Sequence, residues 1–424
     1  MAAFLKGDYA RLWLASGMSS LGDGVTVAAG PLLMATISRN PAVVAGAVFA
    51  QQLPWLLFSL FSGVFVDRVD RRLVVGAVSV LRAVVMTVLA VLVWRGWASI
   101  PAVYAAVFLL GVGATLADNA GQALLPSVVS SEELPKANAW LSGIRMVCNQ
   151  FAGPPLGGWM FVFAAALPFG TDAACFVLAA VLVLSLRPRP SHSHSHSPGG
   201  DAAEPAPDAT PAARGTVWQE IAEGLRWLWQ HKAMRMLAVT MGLMNLTYGG
   251  IFAVYVLWAR ERLGLTGAGY GLLLAVSAVG GVIGTVSVSG LEARFGSAAL
   301  LRAGLLIETL SHLVLAVTRA PWIAALTLVF FGAHATIWGV VGVTLRQRVT
   351  PSEMLGRINS VYMLFSMGGA AIGSLLGGVI ARSFGITAPF WVGFVAMTVM
   401  TALVWRLMTP AKLAAGREPV ATAV

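Results

Sequence analysis

The chain has 424 residues, of which 58% are hydrophobic and only 11% are charged, and its formal net charge is +10. Soluble domains carry about 25% charged residues, so this composition excludes an ordinary soluble protein. The net positive charge could suggest a nucleic-acid-binding protein. However, the basic residues are scattered between apolar runs with no basic-aromatic platform, and we therefore expect no nucleic-acid partner.

Apolar runs of about 20 residues, the length that crosses a bilayer as a helix, recur along nearly the whole sequence. They predict an all-α polytopic membrane protein with twelve transmembrane helices. The first run continues past Leu33 without a small-residue cleavage site, which indicates a retained helix and not a signal peptide. The predicted spans are 10–37, 41–66, 73–94, 101–126, 137–162, 166–186, 235–258, 268–291, 298–318, 321–346, 357–381 and 386–408.

The loop between the second and third predicted spans is a short run of charged residues. It has the pattern Gly63-x-x-x-Asp67-Arg68-x-Asp70-Arg71-Arg72. Arginine-rich short loops mark the cytoplasmic side of a membrane, and the other basic residues follow the same bias. We therefore expect both termini in the cytoplasm, and a multi-pass protein of a bacterial inner (plasma) membrane.

The composition changes abruptly in the middle of the chain. Residues 188–215 are rich in Ser, His, Pro and Ala, which predicts a disordered cytoplasmic linker. Residues 216–232 carry apolar side chains at helical spacing with charges between them, which predicts an amphipathic helix on the membrane surface. The linker separates two six-helix halves, 1–187 and 233–410, and the chain ends in a cytoplasmic tail, 411–424.

Several chemical functions lack the residues that they need. Cys148 and Cys175 are the only cysteines, and both lie in apolar runs, so neither a disulfide framework nor a metal site is predicted. The alternating histidines of 191–197 could bind Zn²⁺ or Ni²⁺ loosely, although a floppy chain lacks a formed site and linker composition alone explains them. Nucleotide-binding and hydrolase motifs are missing, so we expect no enzyme, no ATP-driven pump and no cofactor.

The two halves repeat a glycine motif. Gly153-Pro154-x-x-Gly157-Gly158 in the fifth span matches Gly373-x-x-x-Gly377-Gly378 in the eleventh. Two related six-helix halves are a common plan of transporters, with the substrate path at their interface.

With these two motifs, the chain resembles the major facilitator superfamily from its first helix to its last. Within it, the chain resembles bacterial exporters that include multidrug, macrolide-type and siderophore efflux proteins. The 63–72 loop is similar to the superfamily motif between helices 2 and 3. The 153–158 segment is similar to the core of a helix 5 motif associated with proton-coupled export, although Asn149 stands where a glycine is usual. The resemblance implies a drug:proton antiporter, which we expect to be a monomer in contact with membrane lipid.

Each motif has a structural and a functional interpretation. The loop could be only a positive turn that orients the chain. The resemblance implies a latch, in which Asp67 faces the start of helix 11 near residues 356–359 and the arginines bridge to acidic partners in the other half. The helix 5 glycines could serve close helix packing alone. Pro154 and Pro155 remove backbone donors, so the helix should bend there, and this could serve the rocking of the halves.

Ionisable groups inside spans are costly, which makes them candidates for function. Asp23, near the middle of helix 1, is the preferred proton carrier or substrate contact; alternatively it packs against a hydroxyl or Arg145. Asp118 and Asn119 of helix 4 could line the path, or pair with Arg82 or Arg145.

Other polar groups are given structural interpretations. Asp172 is expected to cap the start of helix 6 or to lie at an interface. Glu308 and His312 are expected to satisfy each other together with Arg302, on a helix that is usually peripheral in the superfamily. His334 is expected to be a hydrogen-bonded packing residue.

The resemblance implies a cavity lined by helices 1, 2, 4 and 5 against 7, 8, 10 and 11. The candidates from those spans are Gln51, Gln52, Asn149, Asn245, Tyr248, Tyr255, Trp338, Tyr362 and Phe365. Aromatic rings and amides together suit an amphipathic small molecule.

The leading hypothesis is therefore a secondary exporter of small amphipathic organic molecules, driven by inward proton flow through alternating access. One alternative is a siderophore or metabolite exporter of narrow specificity. Another is a membrane receptor or scaffold with the same fold that transports nothing.

Overall fold

The computed structural model describes residues 7–66, 70–130, 132–186, 217–351 and 354–408, which are helical with no strand among them. The helices are α1 (Gly7–Ile37), α2 (Pro41–Val66), α3 (Arg71–Trp94), α4 (Ile100–Leu124), α5 (Leu134–Met146), α6 (Gly153–Phe163), α7 (Leu167–Leu184), α8 (Val217–Gln230), α9 (Lys232–Glu261), α10 (Gly267–Val317), α11 (Pro321–Val349), α12 (Leu355–Phe384) and α13 (Ala388–Trp405).

These helices supply the twelve predicted spans, although helices and spans do not correspond one to one. Helix α5, a π-helix at Val147–Ala152 and α6 follow without a break and form a single span. Helix α10 has 51 residues, a length of about 77 Å that is enough for two crossings. Helix α8 is amphipathic and is not a span. The chain is thus a polytopic membrane protein with two six-span halves, which we call the N-terminal half (α1–α7) and the C-terminal half (α9–α13).

Helix α10 reverses at a single residue. Gly296 has φ 76° and ψ 157°, a conformation that favours glycine because it has no Cβ. Both arms then pack on the same helix: Gly280 lies against Val329 of α11, and Gly304 lies against Trp338 of α11. The predicted loop between spans eight and nine is therefore a helical reversal.

The repeated glycines make equivalent contacts inside each half. Gly157 of α6 lies against the backbone of Val25 in α1, and Gly377 of α12 lies against the backbone of Gly250 in α9. In a bilayer, helices associate through such close packing of small residues because lipid is as apolar as the side chains. The first and fifth spans of each half are thus joined in the same way.

The adjacent glycines make equivalent contacts between the halves. Gly158 lies against the backbone of Gly267 in α10, and Gly378 lies against Ala45 of α2. Both contacts lie at the end of the molecule opposite to the start of α1. They hold the two halves together at that end.

The apolar clusters also differ between the two ends of the molecule. One cluster contains residues of both halves, including Leu32, Trp258 and Tyr270, and lies at the end opposite to the start of α1. At the other end, a cluster around Tyr9 belongs to the N-terminal half alone and one around Met234 belongs to the C-terminal half alone. Among the described residues, the halves are therefore packed together at one end and separate at the end where α1 begins, which we call the N-terminal end.

The amphipathic helix α8 is attached to α12. Leu228 is fully buried, and Gly224 lies against the backbone of Arg357. Glu223 and Arg357 form an ion pair of 2.6 Å, while Trp229 remains 52% exposed. The helix thus presents one face to α12 and an aromatic face outward.

Candidate functional site

Three cavities lie between the helices of the two halves. Cavity A, of 540 Å³, is bounded mainly by α9, α10 and α11; cavity B, of 420 Å³, lies within the N-terminal half; and cavity C, of 480 Å³, lies between α2, α4, α9 and α12. Asn149 borders A and B, Asp23 borders B and C, and Tyr248 borders A and C. The three cavities therefore adjoin one another, and we refer to them together as the chamber; their volumes are in the range of small-molecule sites.

The chamber reaches the N-terminal end of the molecule. Cavity B is lined by Leu12 and Ser16 in the first turns of α1 and by Val183 at the end of α7. At the opposite end, the chamber is closed by the contacts of Gly158 and Gly378. Access is thus from one side.

Most of the predicted amide and aromatic residues line this chamber. They are Gln51, Gln52, Asn149, Asn245, Tyr248 and Trp338. The other three lie elsewhere. Tyr255 borders a smaller cavity of 50 Å³, which adjoins cavity A at Tyr248 and Phe331. Tyr362 donates its hydroxyl to the Met234 carbonyl oxygen at 2.8 Å, and Phe365 packs on the same apolar cluster. Tyr362 and Phe365 lie on the face of α12 that packs against the first turns of α9. They therefore point away from the chamber.

Asp23 is paired with Arg82, a partner that the sequence analysis did not assign. The Arg82 Nη2 donates to Asp23 Oδ1. The Arg82 side chain is 5% exposed and that of Asp23 is 35% exposed. The guanidinium also lies over the Phe176 ring at 4.0 Å, a cation–π contact. The carboxylate is thus open to the chamber, while the arginine behind it is buried. A lone arginine in the middle of the third span was the available signal for this pair.

Asp118 is paired with Arg145, one of the two arginines that the sequence suggested. Their Oδ1 and Nη2 atoms are 3.4 Å apart, and Arg145 Nε donates to the Ser16 hydroxyl at 2.9 Å. Both side chains line cavity B. The pair therefore joins α4 to α5 and α1 at the wall of the chamber. The side chain of Asn119 lies outside the described part of the structure.

Asp172 is not a helix cap. It lies inside α7, whose N-cap is Ala166, and it is fully buried. Its Oδ2 accepts a hydrogen bond from the Thr26 hydroxyl at 2.5 Å, next to Gly22 of α1. The interface alternative is the correct one, since this carboxyl group joins α7 to α1.

The Glu308 carboxylate is paired with His334, and not with His312 and Arg302 as predicted, while His312 bonds to the Glu308 backbone carbonyl oxygen. Glu308 Oε2 lies 2.7 Å from His334 Nε2, and each side chain is 2% exposed. Arg302 instead donates to the Trp405 carbonyl oxygen at 2.8 Å. The prediction was wrong because the second arm of α10 packs on α11, and both Glu308 and His334 border cavity A. Glu308 and His334 are thus polar residues of the chamber wall that local sequence spacing did not indicate.

The helix 5 motif both packs closely and interrupts the helix. Gly153 lies against Gly24 of α1. A π-helix, Val147–Ala152, lies just before Pro154. Proline has no backbone N–H to donate, so an interruption of the α-helical hydrogen bonds was expected at this point. The π-helix carries Asn149 and Gln150 into the wall of cavities A and B.

The loop between helices 2 and 3 falls mostly outside the described residues, since residues 67–69 and the side chain of Arg71 are not described and Gly63 falls in α2. Asp70 caps α3 by accepting from the Arg72 backbone nitrogen at 2.9 Å. Arg72 Nη1 donates to the Leu186 carbonyl oxygen at 2.6 Å. In this conformation Arg72 therefore bonds within its own half and not across to the other.

A metal-binding cluster is absent from the described residues of the chain. Within the described ranges, no group of three or more His, Cys, Asp and Glu side chains is arranged to hold an ion. The polar contacts of the chamber are those of ion pairs, amides and aromatic rings.

Comparisons with known proteins agree with this architecture. The family described as "Transmembrane secretion effector" matches residues 1–422. An uncharacterised MFS-type transporter, y4rN of Sinorhizobium fredii, is 22% identical over 371 residues, 87% of each chain. The multidrug efflux pump Tap of Mycolicibacterium fortuitum is 24% identical over 406 residues, covering 91% of this chain and 92% of Tap.

Solved structures show the same fold at low identity. A variant of the nucleoside transporter NupG has a TM-score of 0.75 at 10% identity, covering 95% of this chain and 100% of NupG. A bacterial homologue of the iron transporter ferroportin in its inward-facing state has a TM-score of 0.73 at 17% identity. The match covers 95% of this chain and 98% of the homologue. A bacterial ferroportin homologue in its outward-facing state has a TM-score of 0.55 at 18% identity. The match covers 95% of this chain and 99% of the homologue.

Proposed function

The chain belongs to the transmembrane secretion effector family of major facilitator transporters, and we propose that it exports small amphipathic organic molecules in exchange for protons. The observation that carries this proposal is the chamber between the halves. Amides, aromatic rings and two arginine–carboxylate pairs line it, a mixture that suits substrates with an apolar body and few polar groups.

Proton coupling is assigned to Asp23. Its carboxylate is the exposed member of a pair whose arginine is buried. A proton on Asp23 removes the negative charge of the carboxylate to which the buried Arg82 is hydrogen-bonded, which is unfavourable. Relief requires α1 and α3 to move relative to each other. Protonation is thereby linked to a change in conformation, as an antiporter needs.

The direction of transport is inferred from the open end. The N-terminal end, where the chamber opens, is the side that the distribution of basic residues assigns to the cytoplasm. The higher TM-score with the inward-facing ferroportin homologue than with the outward-facing one supports the same assignment. In this conformation the chamber can therefore load from the cytoplasm, and we propose export because the chain is similar over 91% of its length to Tap, a multidrug efflux pump.

Closure of the open end is assigned to the loop between helices 2 and 3. We propose that Asp67 docks on the start of α12, where Gly356 and Asn359 are exposed. A carboxylate at the start of this helix would be stabilised by the positive end of the helix dipole.

The experiment is transport of ethidium into proteoliposomes under an imposed pH gradient. Wild type should accumulate ethidium only with the gradient, and Asp23→Asn should lose that dependence. Asp8→Asn is the matched control, because Asp8 is also an α1 carboxylate paired with an arginine, Arg11, at 3.1 Å. Equal gradient-independent transport by wild type and Asp23→Asn would refute proton coupling.

A further inference from the structure

Glu308 differs from the other carboxylates of the chamber wall in its partner. Asp23 and Asp118 each face an arginine, which is always charged. Glu308 faces His334, and its other oxygen, Oε1, is buried with no hydrogen-bond partner among the described residues.

The charge of this pair depends on the proton of the histidine. Histidine is the side chain that ordinarily changes charge between pH 5 and 8. When His334 is neutral, Glu308 is a buried carboxylate without a compensating cation, which is unfavourable. Of the described residues that line cavity A, only Tyr248 is a further titratable group, and it does not supply a positive charge.

The titratable group nearest to this pair on its own arm points away from the Glu308 carboxylate. His312, on the same arm of α10, binds the Glu308 carbonyl oxygen through Nδ1 at 2.7 Å and lies against Gly393 of α13. From the N-terminal half, the wall presents the neutral amides Asn149 and Gln150. Among the described residues around Glu308, His334 is therefore the one group positioned to neutralise it.

Aromatic rings surround the pair on the chamber side. Tyr248 stacks on Phe331 with ring centroids 5.6 Å apart, Phe331 meets the His334 ring edge-on at 5.2 Å, and Trp338 borders the same cavity. Ring faces attract organic cations, and a carboxylate beside them adds full charge compensation.

We propose that Glu308 and His334 form a cation-exchange site, at which a proton on His334 and the cationic group of an amphipathic substrate neutralise Glu308 alternately. A substrate cation that binds Glu308 displaces one proton, which passes from His334 to the water of the chamber. This inference rests on the proposed function and gives it a substrate class, lipophilic organic cations.

The test is binding of tetraphenylphosphonium to the purified full-length protein between pH 5.5 and 8. This cation does not titrate, so any pH dependence comes from the protein. Wild type should bind it more tightly as the pH rises, by up to about tenfold per pH unit, the limit for one exchanged proton. Calorimetry in buffers of different ionisation enthalpy should detect a released proton.

Two variants separate the roles of the pair. Glu308→Gln should weaken binding at least about tenfold and remove its pH dependence. His334→Asn should keep binding with a pH dependence that differs from wild type, because the proton that competes with the cation then binds Glu308 itself. Glu292→Gln is the matched control, because Glu292 lies on α10 at the reversal, bonded to the Ser297 hydroxyl at 2.6 Å, and it should behave as wild type.

Binding with unchanged pH dependence in Glu308→Gln would overturn the inference. If that variant fails to fold, wild type still decides the matter, because cation binding without proton release contradicts exchange. Binding in detergent needs no transport, so this result is independent of the Asp23→Asn transport experiment, and each proposal can fail alone.

Discussion

The two halves share their helix packing and differ in their buried charge. In both, the paired glycines of the fifth span contact the first span of the same half and one span of the other half. The N-terminal half pairs its chamber carboxylates with arginines, whereas the C-terminal half pairs Glu308 with a histidine. Because arginine is always charged, an arginine–carboxylate pair is lost only when the carboxylate takes up a proton. A histidine–carboxylate pair is also lost when the histidine gives up its proton. The repeated scaffold thus carries two different responses to protons.

Arg82→Met breaks the arginine side of this comparison and should have the largest effect. Loss of one partner from a buried ion pair costs about 3–5 kcal/mol, and we expect the lower end because Asp23 is 35% exposed. Gradient-driven ethidium transport should fall to background, and thermal unfolding should occur at a lower temperature. Arg11→Met, which removes an arginine that is 43% exposed from its pair with Asp8, should change both measurements little. Wild-type transport by Arg82→Met would contradict the coupling role of Asp23.

Asp67→Asn tests the loop that only the N-terminal half retains in full. The variant should insert normally and transport about tenfold more slowly, the size of an ordinary conformational coupling, because the dipole of α12 loses its anionic partner. Glu292→Gln, beside the reversal of α10 at Gly296, should remain near wild type. Normal transport by Asp67→Asn would reduce the loop to a positive turn. Transport rates per inserted protein measure both.

His334→Arg makes the C-terminal pair resemble the N-terminal ones. A permanent cation then neutralises Glu308 at every pH, so tetraphenylphosphonium binding should weaken about fivefold at pH 8 and lose its pH dependence. Equilibrium dialysis across pH measures this. Retained pH dependence would place the titrating group elsewhere.

Gly158→Ala and Gly378→Ala test the shared scaffold. An added methyl group meets backbone of the other half at Gly158 and the Ala45 side chain at Gly378, so both variants should loosen the closed end and slow transport by about twofold to fivefold. Their effects should be similar because the two positions are equivalent. Gly170→Ala, where the methyl group meets nothing within 4 Å, should transport as wild type. Very different rates in the first two would break the equivalence of the halves.

Apolar periodicity and charged loops were enough to predict the twelve spans, the amphipathic α8 and the repeat. They were also enough to locate Asp23, because a carboxylate in an apolar run is conspicuous. They could not assign Arg82 to Asp23 or Glu308 to His334, since each pair joins helices whose packing is not encoded in local spacing. The reversal at Gly296 brings the second arm of α10 onto α11, and this contact moved Glu308 from an expected peripheral role to the chamber. Matching the unpaired charges of different spans with one another was the available signal.

The claim that the chamber exchanges substrate for protons is tested most directly with wild-type protein alone. Proteoliposomes are loaded with ethidium and with a pH-sensitive dye, at equal pH and clamped voltage, and then diluted into ethidium-free buffer. The outward ethidium gradient should drive protons inward and acidify the lumen, and the acidification should be abolished in Asp23→Asn. Ethidium efflux at an unchanged lumenal pH would contradict proton exchange.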